Sequence, residues 1–361
     1  MGVPFSQKAF LRYHVCGVRS TKQSGYGAWL NMKQLLVTGP RQASLCEVPR
    51  PDCGAAEVLV ETRLTAISTG TELRVFRAIA VDDEGQFLHE TVPFQLPAST
   101  GYSLVGTVRE AGDSVTGLRP GDRVFATAAH AAWAAVPIDA LQLLPESVTS
   151  EHAVWLNVLE VAHRALRQAG PDPGADVAII GQGVVGLGML AWSVACGFRT
   201  VVVENHPERR AIAREMGADL ALSPDEPDCV AEALGFAGGV GADVVFEAGS
   251  SWEAIRMALQ VARADGKVVV MSRHTQRPHF NPVGHPYLGK RLNVVTTYGY
   301  PPDGHRWDRY RSVALTLDFL ERGRFDLNPM VTDRFTAEQL PSVYDRMDRG
   351  DASLVGVLID W

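Results

Sequence analysis

From Met32 to about residue 155, short apolar runs alternate with Gly, Pro and Asp punctuation. EVLVETRLTAI, SLVGTVREA and DRVFATAA read as strands, and GDSVTG with LRPGDRV supplies turn chemistry between them. No 3.6-residue period is sustained, so a compact β-barrel-like domain is predicted. Near residue 151 the period changes. SEHAVWLNVLEVAHRALRQAG places apolar residues at helical spacing and stops at Gly170 and Pro171. Strands and helices then alternate: DVAIIG, VVGLGMLAWSVACG, TVVVEN, PERRAIAREMG, ADVVFEAG, SWEAIRMALQVARADG and KVVVMS. That alternation predicts an α/β unit, a doubly wound parallel sheet covered on both faces. The tail offers one helix, SVALTLDFLERG, and a strand, SLVGVLID, expected to return to the first domain. The predicted organisation is an arm over 1–31, a barrel over 32–155, a parallel α/β sheet over 156–298 and a returning segment over 299–361.

Length and charge narrow the function classes. With 361 residues, two domains are expected. A formal net charge of −7 argues against a nucleic-acid partner. No apolar run reaches the roughly 18 residues that span a bilayer, so no membrane partner is expected. Five dispersed cysteines without a CxxC pair read as reduced thiols of a cytoplasmic protein. The arm is acid-free and carries Lys8, Arg12, Arg19 and Lys22. It reads either as an unstructured extension or as a transit peptide.

Gly181-Gln182-Gly183-Val184-Val185-Gly186 is the strongest motif. It follows an apolar strand and opens a helix. The next predicted strand ends in Glu204, 18 residues after Gly186. Gly181 permits a tight turn, Gly183 lets the backbone approach a pyrophosphate, and Gly186 lets the helix pack on the strand. The helix N-terminus offers unpaired N–H groups to phosphates. Glu204 suits the ribose hydroxyls of NAD and repels a 2′-phosphate, which favours NAD. Asn205 belongs to the same predicted cofactor set. Arg209 and Arg210 stand close enough in sequence to keep NADP possible.

With these features the chain resembles the medium-chain dehydrogenase/reductase superfamily over roughly residues 32–361. GTVREAGDSVTGLRPGDRVF, RRAIAREMGAD and GADVVFEAG carry the resemblance. It implies a GroES-like β-barrel catalytic domain joined to a Rossmann doubly wound parallel sheet, with a C-terminal segment rejoining the barrel. It also implies a catalytic zinc held by an early Cys, by the His of a Gly-His-Glu motif, and by a third ligand near the domain junction. Here the Cys position falls on Ser68 or Thr69, Gly-His-Glu becomes Gly101-Tyr102-Ser103, and the third ligand falls near Asn157. Hydroxyls and an amide are poor zinc ligands. The four-Cys lobe is replaced by ATAAHAAWAAVP. Neither catalytic nor structural zinc is therefore expected. The Ser-Thr-Gly-Thr-Glu and Gly-Tyr-Ser combination resembles a zinc-less subgroup related to bacteriochlorophyllide dehydrogenases.

Without a metal, some side chain must polarise a carbonyl or take an alcohol proton. Tyr102 leads, since a phenol can donate to a carbonyl oxygen, although a barrel tyrosine bonded to backbone fits the pattern equally. Ser68 or Thr69 can anchor a substrate oxygen. Glu72 reads as a base or as a structural acceptor for backbone amides. His163 reads as a proton shuttle or as a helix His satisfied by its neighbours. His130 falls in a loop after a barrel strand and can border the cleft. His274, His279 and His285 lie among Pro and Arg in a loop-like segment and do not form a metal set. HRWDRYRS, with Trp307 and Tyr310, reads as a helix start with aromatic packing, or as the lining of a pocket for an extended substrate.

Three functions remain open at this point. The first is a zinc-independent NAD(H) oxidoreductase of secondary alcohols and ketones. The second is an NAD(P)H-dependent C=C reductase, against which Glu204 counts. The third is a dinucleotide-binding protein without turnover. Expected partners are a small-molecule substrate and further copies of the chain. The resemblance implies a homodimer or homotetramer paired through the late strand at Asn293 to Tyr298.

Overall fold

The computed structural model describes residues 31–86, 95–297 and 306–361, which divide into two units. The basic arm, except Asn31, lies outside the described residues, as do Tyr298 and His305. One unit takes the described residues up to Leu143 together with Phe335–Arg349 and Ile359–Trp361. The other takes Leu144–Arg334 and Gly350–Leu358. The division at Leu143/Leu144 falls before the predicted boundary near 155. Only two pieces of the tail beyond residue 299 group with the first unit.

The first unit is built from the predicted short strands. β1 (Asn31–Gly39) and β2 (Gln42–Pro49) form an antiparallel hairpin, and Leu35 and Val37 are its buried residues on β1. β3 (Glu57–Ala66) is buried along most of its length. Between it and the two-residue strand β4 (Ala98–Ser99) lies a helix, α1 (Thr69–Phe76). β5 (Leu104–Ala111), β6 (Arg123–Ala126), β7 (Trp133–Pro137) and β8 (Leu141–Leu143) complete the barrel strands. β3 pairs with both β5 and β7, and β6 bridges β5 to β8, all antiparallel. Val58, Val60, Leu104, Val108, Val124 and Val136 fill the core, as alternating strand residues should. α1 was not expected. Gly70 and two β-branched threonines disguise its first turn.

The second unit opens with the single turn α2 (Ser150–Ala153) and with α3 (Leu156–Ala169). α3 ends where Gly170 takes a left-handed conformation, φ 56°, as a C-terminal glycine does. Then follow β9 (Asp176–Ile180), α4 (Val184–Ala195), β10 (Arg199–Val203), α5 (Pro207–Glu215) and β11 (Leu220–Leu222). α6 (Cys229–Phe236), β12 (Ala242–Glu247), α7 (Trp252–Val261) and β13 (Ala262–Val270) continue the alternation. The four-residue helix α8 (Tyr287–Lys290) and β14 (Asn293–Thr296) close it. The sheet order is β11-β10-β9-β12-β13-β14, all parallel. Strand order reverses between β9 and β12, the switch point outside which dinucleotides bind in such sheets. The long helix α9 (Arg309–Glu321) starts at Asp308, whose carboxylate accepts from Arg311 N. It is followed by β15 (Val331–Thr336). The chain then re-enters the first unit as α10 (Leu340–Asp348) and ends after β16 (Gly356–Asp360). One local reading shifts: β13 begins at Ala262, inside the predicted helix. Among the described residues, no helix is long and apolar enough to cross a membrane.

Candidate functional site

The dinucleotide loop has the geometry its glycines demand. Gly181 takes φ +90°, and a Cβ there would lie 2.8 Å from Gly249 Cα. A Cβ on Gly186 would lie 2.0 Å from Gly181 O, so the first turn of α4 rests directly on the turn that precedes it. Gly183 differs from both. It caps α4 with φ −74° and ψ −177°, and a Cβ there would meet nothing within 4 Å. Its face is open where a pyrophosphate must approach the helix N-terminus. Val184 and Val185 follow in that first turn. Buried Gln182 donates Nε2–H to Gly181 O and leaves its Oε1 without a partner. The loop therefore fits a dinucleotide.

Glu204 does more than end a strand. It is buried, and its carboxylate accepts from Gln182 N at 2.7 Å and from His206 N at 2.9 Å. It thus ties the glycine loop to the turn after β10. Each oxygen keeps a second lone pair for a ribose hydroxyl. Asn205 is exposed. Arg210 Nη1 donates to the carbonyls of Glu204 and Asn205, and Arg209 Nε donates to Ala352 O. Of the two arginines, Arg210 is the one bound to the Glu204 turn.

A second polar group stands at the same edge of the sheet. Glu247, at the end of β12 and fully buried, accepts from Gly249 N and Ser250 N on one oxygen. Its other oxygen accepts from Ser272 Oγ and His274 Nε2. The sequence reading missed Glu247; an acid ending the apolar run ADVVFE was the available signal. His279 instead pairs with the exposed Glu253, and the His285 ring packs over Gly289.

In the first unit, Tyr102 OH donates to Ser68 Oγ at 2.5 Å. Ser68 is the N-cap residue of α1, yet its side chain makes no capping bond. Serine is favoured at that position because its hydroxyl satisfies an open helix N–H. Here the hydroxyl is given to Tyr102 instead. The helix is capped from the other direction, since Glu72 Oε1 accepts from Ser68 N at 2.6 Å. Gly101 makes the arrangement possible. It takes φ +98°, and a Cβ there would lie 2.6 Å from the His130 ring. The chain at Tyr102 is held on either side, by His130 N donating to Thr100 O and Ala66 N to Ser103 O. Thr69 opens α1 and takes no part in this hydroxyl pair.

Other candidates resolve differently. Glu72 is buried, with both oxygens occupied by Ser68 N, His130 Nε2 and Tyr344 OH. It is not placed as a free base. His130 is likewise buried inside this network and lines no open surface. His163 packs between Trp192 and Trp307, with ring centroids at 4.8 and 5.4 Å, and its Nδ1 pairs with Ser312 Oγ at 2.6 Å. Burial, aided by Arg167, pushes its pKa from 6.5 down to about 4. It is a neutral member of an aromatic core, unsuited to shuttling protons near pH 7. Trp307 lies between the Arg167 and Arg311 guanidiniums, and Tyr310 is exposed. Asn157 is half-buried on α3, in the second unit. The set Ser68 or Thr69, Tyr102 and Asn157 brings no thiolate, imidazole or carboxylate, so it does not fit zinc. Among the described residues, no three His, Cys, Asp or Glu side chains gather as a metal-binding group.

Comparison with known proteins agrees with both halves of this architecture. Residues 54–138 match the alcohol dehydrogenase GroES-like domain, and residues 184–315 match the zinc-binding dehydrogenase family. Sorbitol dehydrogenase of Bacillus subtilis (strain 168) is 25% identical, over 88% of this chain and 93% of that protein. L-threonine 3-dehydrogenase of Pyrococcus abyssi (strain GE5 / Orsay) is 26% identical, over 81% and 88%. An alcohol dehydrogenase of Escherichia coli CFT073, solved with NADH, shares the fold with a TM-score of 0.75 at 19% identity, over 92% of this chain and 99% of that one. Taken with the glycine loop, the parallel sheet and the barrel, these likenesses show that the chain belongs to the medium-chain dehydrogenase/reductase superfamily.

Proposed function

We propose that this protein is an NAD(H)-dependent oxidoreductase of secondary alcohols and ketones, in which the Ser68–Tyr102 hydroxyl pair does without zinc what a metal does in its relatives. The observation that carries the proposal is the diverted N-cap serine. A residue placed to cap α1 instead accepts a 2.5 Å bond from Tyr102; Tyr102 stands where the family resemblance implies the ligand His, and the ligand Cys position falls on Ser68 or its neighbour Thr69. A local rule broken without local gain is expected at functional sites.

The nicotinamide supplies the hydride when bound. The glycine loop holds the pyrophosphate, and Glu204 favours NAD by presenting a carboxylate to the ribose. Ketone reduction also needs one proton on the substrate oxygen. Of the two hydroxyl protons in the pair, one is spent in the Tyr102–Ser68 bond and one remains to donate. Ser68 O–H donates to the substrate oxygen and is reprotonated from Tyr102, a phenol being a stronger acid than an aliphatic alcohol. Solvent then restores the phenol proton. Alcohol oxidation runs the same path in reverse.

We place the protein in the cytoplasm, consistent with the four described cysteines being unpaired. We also propose a homodimer or homotetramer joined through β14, an edge strand whose Val294 is exposed. The test of the catalytic proposal is a panel of secondary alcohols, ketones and enones with NADH and NADPH. Tyr102→Phe and Ser68→Ala should each lower kcat for ketones by about 10²–10⁴-fold, the range for losing a general acid. NADH affinity should stay unchanged. Wild-type kcat in both variants, or turnover confined to enones, would sink the proposal.

A further inference from the structure

The Ser68–Tyr102 pair stands on a buried chain of hydrogen bonds that the proposed chemistry does not itself use. Glu72 is its hub. Its Oε1 accepts from Ser68 N, and its Oε2 accepts from both His130 Nε2, at 2.8 Å, and Tyr344 OH. Behind His130, Nδ1 pairs with Thr65 Oγ1 at 2.8 Å, and Trp361 Nε1 donates to the same Thr65 oxygen at 2.9 Å. Thr65, His130, Glu72 and Tyr344 are at most 1% exposed.

The donor inventory orients this chain from the carboxylate outward. An ionised carboxylate only accepts, so His130 donates its Nε2–H to Glu72. In the neutral imidazole Nδ1 is then the acceptor, and Thr65 O–H donates to it while accepting from the Trp361 indole N–H. A phenol facing an oxygen that holds an anion also donates. Three donors therefore converge on one carboxylate, and hydrogen bonds to an ionised acceptor are the strong ones. The carboxylate in turn fixes Ser68 N, and with it the placement of Ser68 Oγ against Tyr102.

Tyr344 enters from α10, far along the chain, and its ring is packed edge-on to Phe76 of α1 at 5.5 Å between centroids. Its ring and its hydroxyl therefore hold the same helix by independent means. Ring packing alone needs only phenylalanine. A hydroxyl kept fully buried must be matched by an acceptor, and here that acceptor is the carboxylate that holds Ser68.

We infer that Tyr344 is a positioning residue for the Ser68–Tyr102 pair, acting through the Glu72 carboxylate. This rests on the reading of Ser68 and Tyr102 as the proton-handling pair. Removing the hydroxyl frees Glu72 Oε2 from one of its two donors, and the carboxylate rotates away from Ser68 N. Ser68 Oγ then no longer holds the alignment that proton transfer to substrate requires. Cofactor binding, which belongs to the glycine loop, is untouched.

The test is a double-mutant cycle on the full-length enzyme, with Tyr344→Phe, Ser68→Ala and their combination. Each is followed by kcat, KM for the ketone and a fluorescence titration of NADH. Tyr344→Phe should lower kcat about tenfold, the scale of one charge-assisted hydrogen bond. The dissociation constant for NADH should move less than about twofold. In the Ser68→Ala background, Tyr344→Phe should have almost no further effect on kcat, because the group it positions is gone. A purely structural tyrosine would give the same factor in both backgrounds, and that additivity would overturn the inference. So would wild-type kcat in Tyr344→Phe. If Tyr344→Phe does not fold, Thr65→Val cuts the same chain behind His130 at nearly constant volume. It should show the same non-additivity with Ser68→Ala, and additivity there overturns the inference equally. Wild-type kcat in Ser68→Ala instead removes the underlying reading, so the two failures are told apart.

Discussion

Replacing Gly183 and Gly186 by alanine, one at a time, separates two roles that a glycine-rich loop usually confounds. At Gly186 the new methyl would sit 2.0 Å from Gly181 O and 3.0 Å from Gly181 C. That is well over 1 Å inside an ordinary contact of about 3.5 Å, and the neighbour is backbone. α4 must move off the loop. Overpacking of this kind costs about 1–3 kcal/mol. Expressed wholly in cofactor binding, that range is about 5- to 150-fold in affinity. Gly186→Ala should therefore lower both the thermal midpoint and the affinity for NADH. At Gly183 the protein resists nothing: φ is −74°, which alanine adopts freely, and no atom lies within 4 Å of the new methyl. Gly183→Ala should keep the thermal midpoint, or raise it slightly by restricting the unfolded chain. It should nevertheless weaken NADH at least tenfold, because its methyl fills the space the pyrophosphate needs. Thermal melts without ligand, paired with NADH fluorescence titrations, read both quantities. A Gly183→Ala protein that binds NADH like wild type would refute the assignment of that open face to the pyrophosphate.

Two further predictions concern buried polar groups in the second unit. His163 has a folded-state pKa near 4 against 6.5 ordinarily, so the unfolded chain binds more protons between those values. The stability its neutral burial allows is therefore full above pH 6.5 and falls as pH drops toward 4. The scale is roughly 3 kcal/mol, and urea midpoints across that range should flatten in His163→Gln. An equally steep profile in the variant would contradict this. Glu247→Ala removes the carboxylate that accepts from Gly249 N, Ser250 N, Ser272 Oγ and His274 Nε2. It should cost roughly 3–5 kcal/mol in urea unfolding, and a loss under about 1 kcal/mol would show the carboxylate to be dispensable.

The cofactor loop was legible in the sequence because its requirements are local. Gly181, Gly183 and Gly186 each answer to backbone geometry within one turn, and β9 and α4 announce themselves by period. The hydroxyl pair was legible only as two separate candidates. Tyr102 and Ser68 stand 34 residues apart, and no local pattern shows that they touch. Glu72 read as part of a turn because Gly70 and the threonines hide α1, so its place as the hub of a helix cap was out of sight. For His163, periodicity marks the buried face of α3, but its partners Ser312 and Trp307 come from a distant stretch. Tyr344 follows Leu340 and Val343 and precedes Met347 in a helical apolar stripe. That spacing predicts a core residue and says nothing of where a phenol proton goes.

The central claim is that hydroxyl chemistry at Ser68 and Tyr102 stands where relatives of this fold are named for zinc. Its most direct test is the metal content per subunit of active enzyme purified without chelator. The account predicts zinc near zero per subunit, with ketone reduction undiminished. About one zinc per subunit, lost together with activity on chelation, would contradict it.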